Sequence, residues 1–123
     1  MKRSLISAVA LFAGLSIAIL SQPLTAADAR GNFVVHGAGL VSCQMYLDAT
    51  EEQRLHAETW WAGYATAMNR VTDDTYDLLG ERDFNAANAW LEAWCIDNPD
   101  ALYVHAVHEM LESFYPERQR QAQ

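Results

Sequence analysis

The two cysteines are the sequence feature that most constrains the fold. Cys43 and Cys95 are the only cysteines of the chain. In an exported protein, two thiols indicate a disulfide rather than a metal site or a nucleophile. The bond would close a loop of about 53 residues and stabilise a small domain by about 4 kcal/mol. We therefore predict a Cys43–Cys95 disulfide, with two buried free thiols as the alternative.

The N-terminus has the organisation of a secretory signal peptide. Lys2 and Arg3 precede an apolar run from Leu5 to Leu20, and small residues follow up to Ala27. The run is about 16 residues long, shorter than the roughly 20 residues of a membrane span. We predict export to the periplasm, cleavage near Ala27 and no stable membrane insertion afterwards. An uncleaved anchor is the alternative.

Beyond the signal peptide the chain is strongly acidic. Of the eight cationic residues, Lys2 and Arg3 leave with the signal, so six arginines remain against sixteen acids, a formal charge of −10. Such a surface repels phosphate backbones and anionic lipid, which argues against nucleic acid and membrane partners. Aliphatic and aromatic residues are too abundant for a disordered chain. A single folded acidic domain is expected.

Apolar periodicity and capping signals predict an all-α domain, a small bundle of about four helices closed by one disulfide. Thr50 and Gln53 fit a capping box. Asn98 followed by Pro99 is typical of the start of a last helix. Gly63 lies inside the second helix, where it predicts close approach by another backbone or an aromatic ring. The expected helices run over residues 42–49, 50–71, 84–96 and 98–115.

The segment before the helical domain is expected to be loose, and the segment after it to be polar. Residues 28–41 carry three glycines and predict a flexible N-terminal arm with at most a short extended piece. Residues 116–123 are a polar tail. The predicted organisation is therefore a signal peptide over 1–27, an arm over 28–41, a helical domain over 42–115 and the tail.

Three aromatic residues form the candidate partner or dimer surface. Trp60, Trp61 and Tyr64 lie on the second predicted helix. Aromatic residues at helical spacing are most often core. Adjacent tryptophans cannot both point inward, however, so either Trp60 or Trp61 is expected at an edge or an interface. A homodimer contact there is one possibility.

The only candidate metal ligands are His105, His108 and Glu109, at helical spacing in the last predicted helix. Imidazole and carboxylate groups on one helix side can bind zinc. A solvated polar face is the principal interpretation, and a pH-responsive role is another. We assign no metal or other cofactor. Since no nucleophile stands in a recognisable setting, we do not predict an enzyme.

The acid surplus supplies one physical mechanism. Well below the carboxylate pKa values the acids lose their charge, leaving six arginines, four histidines and the amino terminus, about +11. A change of that size turns attractive acid–base contacts into repulsion between cations. The disulfide would limit the unfolding. Loosening in acid is thus a hypothesis about function.

Three short motifs resemble the HdeA/HdeB family of small periplasmic helical proteins. They are Ser42-Cys43-Gln44-Met45-Tyr46-Leu47-Asp48, Trp60-Trp61-Ala62-Gly63-Tyr64 and Trp94-Cys95-Ile96-Asp97-Asn98-Pro99. The resemblance covers residues 42–112 and implies a disulfide between the two cysteines. It also implies an acid-stress chaperone-like protein that is dimeric at neutral pH and holds unfolding clients. The lack of lysine beyond the signal peptide departs from the family's lysine-rich chaperones.

A weaker similarity connects the chain to the Rap/Tai immunity proteins of type VI secretion. It rests on Cys43 with Tyr46-Leu47, on Gly63-Tyr64, and on Phe114-Tyr115-Pro116 after Pro99. This similarity implies a periplasmic inhibitor that binds one cognate effector stoichiometrically. The partners expected are therefore other proteins, either unfolding clients or one cognate partner. A structural or small-ligand-binding periplasmic protein is a third hypothesis.

Overall fold

The computed structural model describes residues 27–123. The predicted signal peptide lies, apart from Ala27, outside the described residues. Residues 28–32 make a turn of their own, in which the Asp28 carboxylate accepts backbone hydrogen bonds from Asn32 and Arg30 at 2.8 and 2.9 Å. These bonds lower the pKa of Asp28. The chain from Val34 onwards forms one compact unit.

Four α-helices build this unit, and the predicted all-α class is confirmed. The described residues contain no strand, only isolated bridges from Ser42 to Leu102 and from Asp77 to Gln119. The helices are α1 (Cys43–Leu47), α2 (Glu51–Val71), α3 (Phe84–Asp97) and α4 (Tyr103–Phe114), with short 3-10 helices at Gly37–Leu40 and Tyr115–Glu117.

Local capping explains where the central helices begin. The Thr50 hydroxyl accepts a hydrogen bond from the Gln53 backbone N–H at 3.3 Å. The Gln53 side chain accepts one from the Thr50 backbone N–H at 3.0 Å, completing the predicted capping box of α2. The Asp83 carboxylate likewise accepts from the Ala86 N–H at 2.8 Å and caps α3.

The predicted disulfide is present and joins α1 to α3. Cys43 and Cys95 are bonded, and neither is exposed to solvent. The core surrounds α4, whose inward residues fall at spacings of three and four. Its buried members are Tyr103, Val104, Ala106, Val107, Met110, Leu111 and Phe114. The short α1 is therefore held by a covalent bond and by packing on the most deeply buried helix.

The prediction that the last helix starts at Asn98 is wrong. Asn98 ends α3 instead, and its side-chain amide donates a hydrogen bond to the Trp94 carbonyl at 2.9 Å. The helix α4 begins only at Tyr103. The intervening backbone pairs with the start of α1, where the Cys43 N–H donates to the Ala101 carbonyl at 2.8 Å. This long-range pairing takes the place of the predicted first turn.

Parts of the predicted arm and of the polar tail contact the helices. The 3-10 helix Gly37–Leu40 packs on α2 and α4. At its end the Val41 carbonyl accepts a hydrogen bond from the Tyr103 backbone N–H at 2.8 Å. In the tail, Asp77 and Gln119 exchange backbone hydrogen bonds of 2.9 and 3.1 Å. Residues 37–41 and Gln119 are therefore held by the helical unit.

Gly63 also differs from its prediction. A Cβ built at this position would have no heavy atom of a neighbouring element within 4 Å. Gly39 is the glycine that a tryptophan approaches closely, because a Cβ there would overlap the Trp60 ring and Val35. The absence of a side chain is thus required in the N-terminal turn and not in α2.

Candidate functional site

Trp61 belongs to the core and not to the predicted partner surface. It is 1% exposed. Its indole N–H donates to the Asn88 side-chain carbonyl at 2.8 Å. Its ring stacks on Phe84 with centroids 4.6 Å apart. Since these contacts satisfy both the apolar ring and the polar nitrogen, Trp61 offers nothing to a partner while the protein is folded.

Trp60 is the tryptophan at the edge, but the chain's own N-terminal segment covers it. The indole N–H donates to the His36 carbonyl at 2.6 Å, and the ring lies against Gly39. On its other side Trp60 stacks on the half-buried Tyr64, with centroids 5.5 Å apart. Burial raises the pKa of Tyr64. Residues 36–39 thus cover part of Trp60, while both rings of the pair stay partly exposed.

The histidine cluster of α4 is a solvated face. His105, His108 and Glu109 are all exposed. The His108 Nε2 atom lies 3.7 Å from a carboxylate oxygen of Glu112, one turn further on. Within residues 27–123 no group of three or more histidine, cysteine or acidic side chains is arranged to hold a metal ion. The geometry therefore gives this cluster no ligand set.

A cluster of charged residues that was not predicted closes the C-terminal end of α2. We call it the arginine clamp: Arg82, Arg118 and Arg120 with Asp74 and Glu117. Arg82 reaches Glu117 at 2.6 Å. The Asp74 Oδ2 atom lies 2.7 Å from a guanidinium nitrogen of Arg120 and 3.7 Å from one of Arg118. The clamp thereby ties residues 74–82 to the C-terminal segment.

Arg118 is the most enclosed cation of the clamp. Its side chain is only 7% exposed. The guanidinium donates to the Asp74 carbonyl at 3.2 Å, to the Thr75 hydroxyl at 3.0 Å and to the Tyr115 carbonyl at 3.0 Å. It also lies 3.9 Å from the Tyr115 ring centroid. The sequence offered one weak signal, since Arg118 and Arg120 share one side of an extended segment.

Apolar residues lie near the clamp. A cavity of about 310 Å³ opens between α2, the loop after it and α4; its walls are Met68, Thr72, Leu78, His108, Leu111, Glu112 and Tyr115. Leu78 and Leu111 are almost fully buried. Arg82 lies 4.2 Å from the Phe114 ring centroid. The two segments that the clamp joins therefore each contribute an apolar wall residue, Leu78 and Tyr115.

A second opening lies at the opposite end of α2. It is a cleft of about 410 Å³ between the 3-10 helix Gly37–Leu40, α1 and the first turns of α2. Its walls are mainly apolar, with Val41, Met45 and Ala57 among them. The large apolar residues Leu40, Met45 and Leu55 in these elements are 54%, 62% and 61% exposed. This face is named the N-terminal cleft below.

Comparisons of the chain with models of protein families, with curated proteins and with solved structures give no significant match. Within residues 27–123, no helix combines the length and the apolar character that crossing a membrane requires.

Proposed function

We propose that the mature chain is an exported, chaperone-like protein of the HdeA/HdeB type that binds unfolding proteins in acid. The observation that carries this proposal is the arginine clamp, which joins two segments that contribute Leu78 and Tyr115 to the apolar cavity beside it. The arginines of the clamp pair with two carboxylates, Asp74 in the loop after α2 and Glu117 in the C-terminal segment. Carboxylates lose their charge in acid and arginines do not. The clamp therefore has the chemistry of an acid-sensitive closure.

Acid changes the clamp from attraction to repulsion. At neutral pH each exposed ion pair contributes little, about 0–1 kcal/mol, because water screens it. In acid, carboxylates as a class lose their charge, whereas Arg82, Arg118 and Arg120 remain cations side by side. Arg118 is then an enclosed cation without a counter-charge, which is more costly than the loss of an exposed pair. The two segments are expected to separate.

Separation of these segments would uncover apolar side chains that a client can contact. Leu78 would leave the core, and Met68, Leu111 and Phe114 would lose their cover. The Cys43–Cys95 bond does not depend on pH between 2 and 7, so α1 and α3 stay joined. The chain would thus loosen at one end, remain compact at the other, and close again on neutralisation.

The proposal is tested by titrating the mature, oxidised protein from pH 7 to pH 2. The readouts are oligomeric state, binding of an apolar dye and suppression of aggregation of an acid-denatured client. We expect dye binding and client protection to rise together below about pH 4 and to reverse on neutralisation. A protein that stays closed and dye-free down to pH 2 contradicts the proposal.

The formal charge of −10 favours one alternative, a periplasmic immunity protein that inhibits a secreted effector by stoichiometric binding. An acidic surface would steer a basic effector and keep it bound at neutral pH. Tight one-to-one binding at pH 7, without client protection in acid, would select this alternative.

A further inference from the structure

The cavity beside the arginine clamp has the size of a pocket for a small ligand. Its volume is about 310 Å³. That is about twice the volume of an engineered protein cavity that holds benzene, and it lies at the lower limit of natural ligand pockets. Met68, Leu78 and Leu111 give the cavity apolar walls. Because such walls hold water poorly, they favour a ligand with a hydrocarbon part about the size of a benzene ring.

The polar side chains that line the same cavity can all accept hydrogen bonds. They are the Thr72 hydroxyl, the His108 imidazole and the Glu112 carboxylate. The His108 Nε2 atom lies 3.7 Å from a carboxylate oxygen of Glu112, which is beyond hydrogen-bond distance. This loose contact leaves the carboxylate able to accept hydrogen bonds from a ligand.

Glu112 sets the sign of the charge that a ligand meets. Among the described residues, no arginine lines the cavity. Arg118 lies 3.9 Å from the centroid of the lining residue Tyr115, but its guanidinium donates to the Asp74 carbonyl and the Thr75 hydroxyl, and its side chain is only 7% exposed. A cationic ligand is therefore attracted by the Glu112 carboxylate, and an anionic one is repelled.

We propose that this cavity binds a small apolar primary amine at neutral pH, with the hydrocarbon part against the apolar walls and the ammonium group at Glu112. An ammonium group carries three N–H donors and no acceptor. The polar lining of the cavity offers three acceptors and one carboxylate charge. The donor count and the charge of the ligand thus both match the side chains that form the site.

This inference goes beyond the proposed acid function, because the amine binds the closed protein at neutral pH. Leu78 and Tyr115 come from the two segments that the clamp joins, and both line the cavity. A ligand between them binds the closed arrangement and stabilises it by mass action. The amine should therefore raise the thermal unfolding temperature at pH 7.

The test uses the oxidised mature protein at pH 7 and four related probes. Phenethylamine carries both a ring and an ammonium group. Phenethyl alcohol has a hydroxyl in place of the ammonium group, hydrocinnamate has a carboxylate, and ethylamine lacks the ring. Calorimetry measures the affinity of each probe, and backbone NMR shifts locate its site.

We expect phenethylamine to bind with a dissociation constant of about 0.1–1 mM, which is reasonable for so small a molecule. Phenethyl alcohol should bind about fivefold more weakly, and the other two probes at least about tenfold more weakly. The NMR shifts should fall at Met68, Thr72 and Leu111, and not at Met45 or Ala57 of the N-terminal cleft.

Two matched variants distinguish the lining carboxylate from net charge. Glu112→Gln should weaken phenethylamine binding about fivefold and leave phenethyl alcohol binding within about twofold. Glu109→Gln makes the same change in net charge at an exposed position of the same helix that does not line the cavity. It should leave the affinity for both probes within about twofold.

Several results would overturn the inference. They are binding of hydrocinnamate or ethylamine as tight as that of phenethylamine, equal effects of the two variants, NMR shifts at the N-terminal cleft, and no saturable binding below about 10 mM. Because every measurement is made at pH 7, a failure of acid client protection leaves this test unaffected. Conversely, absent amine binding with intact client protection removes only this inference.

Discussion

The guanidinium of Arg118 lies 3.7 Å from the carboxylate of Asp74, a residue 44 positions earlier in the chain. Asp74 has a positive φ of 51°, so its backbone is in the left-handed region, which Asp and Asn tolerate better than most residues. The loop is therefore shaped to present this carboxylate to the C-terminal segment. The pair connects two segments that the sequence alone describes as a turn and a polar tail.

Replacing Asp74 by Asn should lower the free energy of unfolding by about 1 kcal/mol at pH 7. Asn tolerates the same backbone conformation, so the variant removes the charge with little added strain. The difference from the unmodified protein should be smaller near pH 2, because carboxylates in general lose their charge in strong acid. Urea unfolding at pH 7 and at pH 2 measures both values.

Asp73→Asn is the matched control, because the neighbouring carboxylate is exposed and makes no ion pair in the described chain. It should change stability by less than about 0.5 kcal/mol at either pH. Equal losses in the two variants would mean that net charge, and not the contact with Arg118 and Arg120, stabilises this end.

Two glycine substitutions should act in opposite directions. Gly63→Ala should stabilise the protein by about 0.5–1 kcal/mol, because α2 gains a better helix former and the added methyl group meets open space. Gly39→Ala should destabilise it, because the methyl group would overlap the Trp60 ring. Thermal unfolding of both variants checks the prediction. A destabilising Gly63→Ala would indicate a contact at that face of α2.

Tyr103 should make the protein sensitive to alkali. Its hydroxyl is buried and has no hydrogen-bond partner among the described residues; the nearby Tyr46 hydroxyl does not meet the geometry of a bond. Burial, and secondly Tyr46, raise the pKa of Tyr103. Because the folded-state pKa is raised, the associated stability is fully present below about pH 10 and is lost as the pH rises further.

Tyr103→Phe should therefore be neutral or stabilising by up to about 1–2 kcal/mol at pH 7. It should also flatten the loss of stability above about pH 10. Unfolding curves at several pH values between 7 and 11 measure both effects. A strongly destabilising Tyr103→Phe would reveal a hydrogen bond to this hydroxyl.

Reduction of the disulfide should cost about 4 kcal/mol, since the bond closes a loop with a sequence separation of 52 residues. For a domain of this size that is a large part of the net stability. The reduced protein should unfold completely in acid and refold poorly, as measured by far-UV circular dichroism with and without reductant. Equal acid transitions in the two redox states would contradict a restraining role for the bond.

The local features of the fold could be predicted from the sequence because they depend on neighbouring residues. The capping box at Thr50 is an example, and the cysteine count was enough for the disulfide. Asn98 was misinterpreted because its side chain hydrogen-bonds to the end of α3. The backbone after it accepts a hydrogen bond from the distant Cys43 N–H instead of starting a helix. No local pattern reports such a pairing.

The candidate site was less predictable for the same reason. Trp60 and Trp61 were recognised as unequal, but which of them is buried depends on Asn88 and Phe84 of another helix. The arginine clamp joins residues far apart in the chain, so the spacing of Arg118 and Arg120 was a weak signal that did not name their partners. The buried residues of one helix can be predicted from its own apolar periodicity. These contacts between distant segments can be seen only in the folded structure.

Opening of the clamped end in acid can be separated from a general effect of charge by measuring client protection by a clamp variant. A mature, oxidised protein with Asp74→Asn and Glu117→Gln has lost both carboxylates of the clamp before any acid is added. Its midpoint for client protection should move to higher pH than that of the unmodified protein, whereas Asp73→Asn with Glu81→Gln should leave the midpoint unchanged. An unchanged midpoint in the clamp variant would contradict the account.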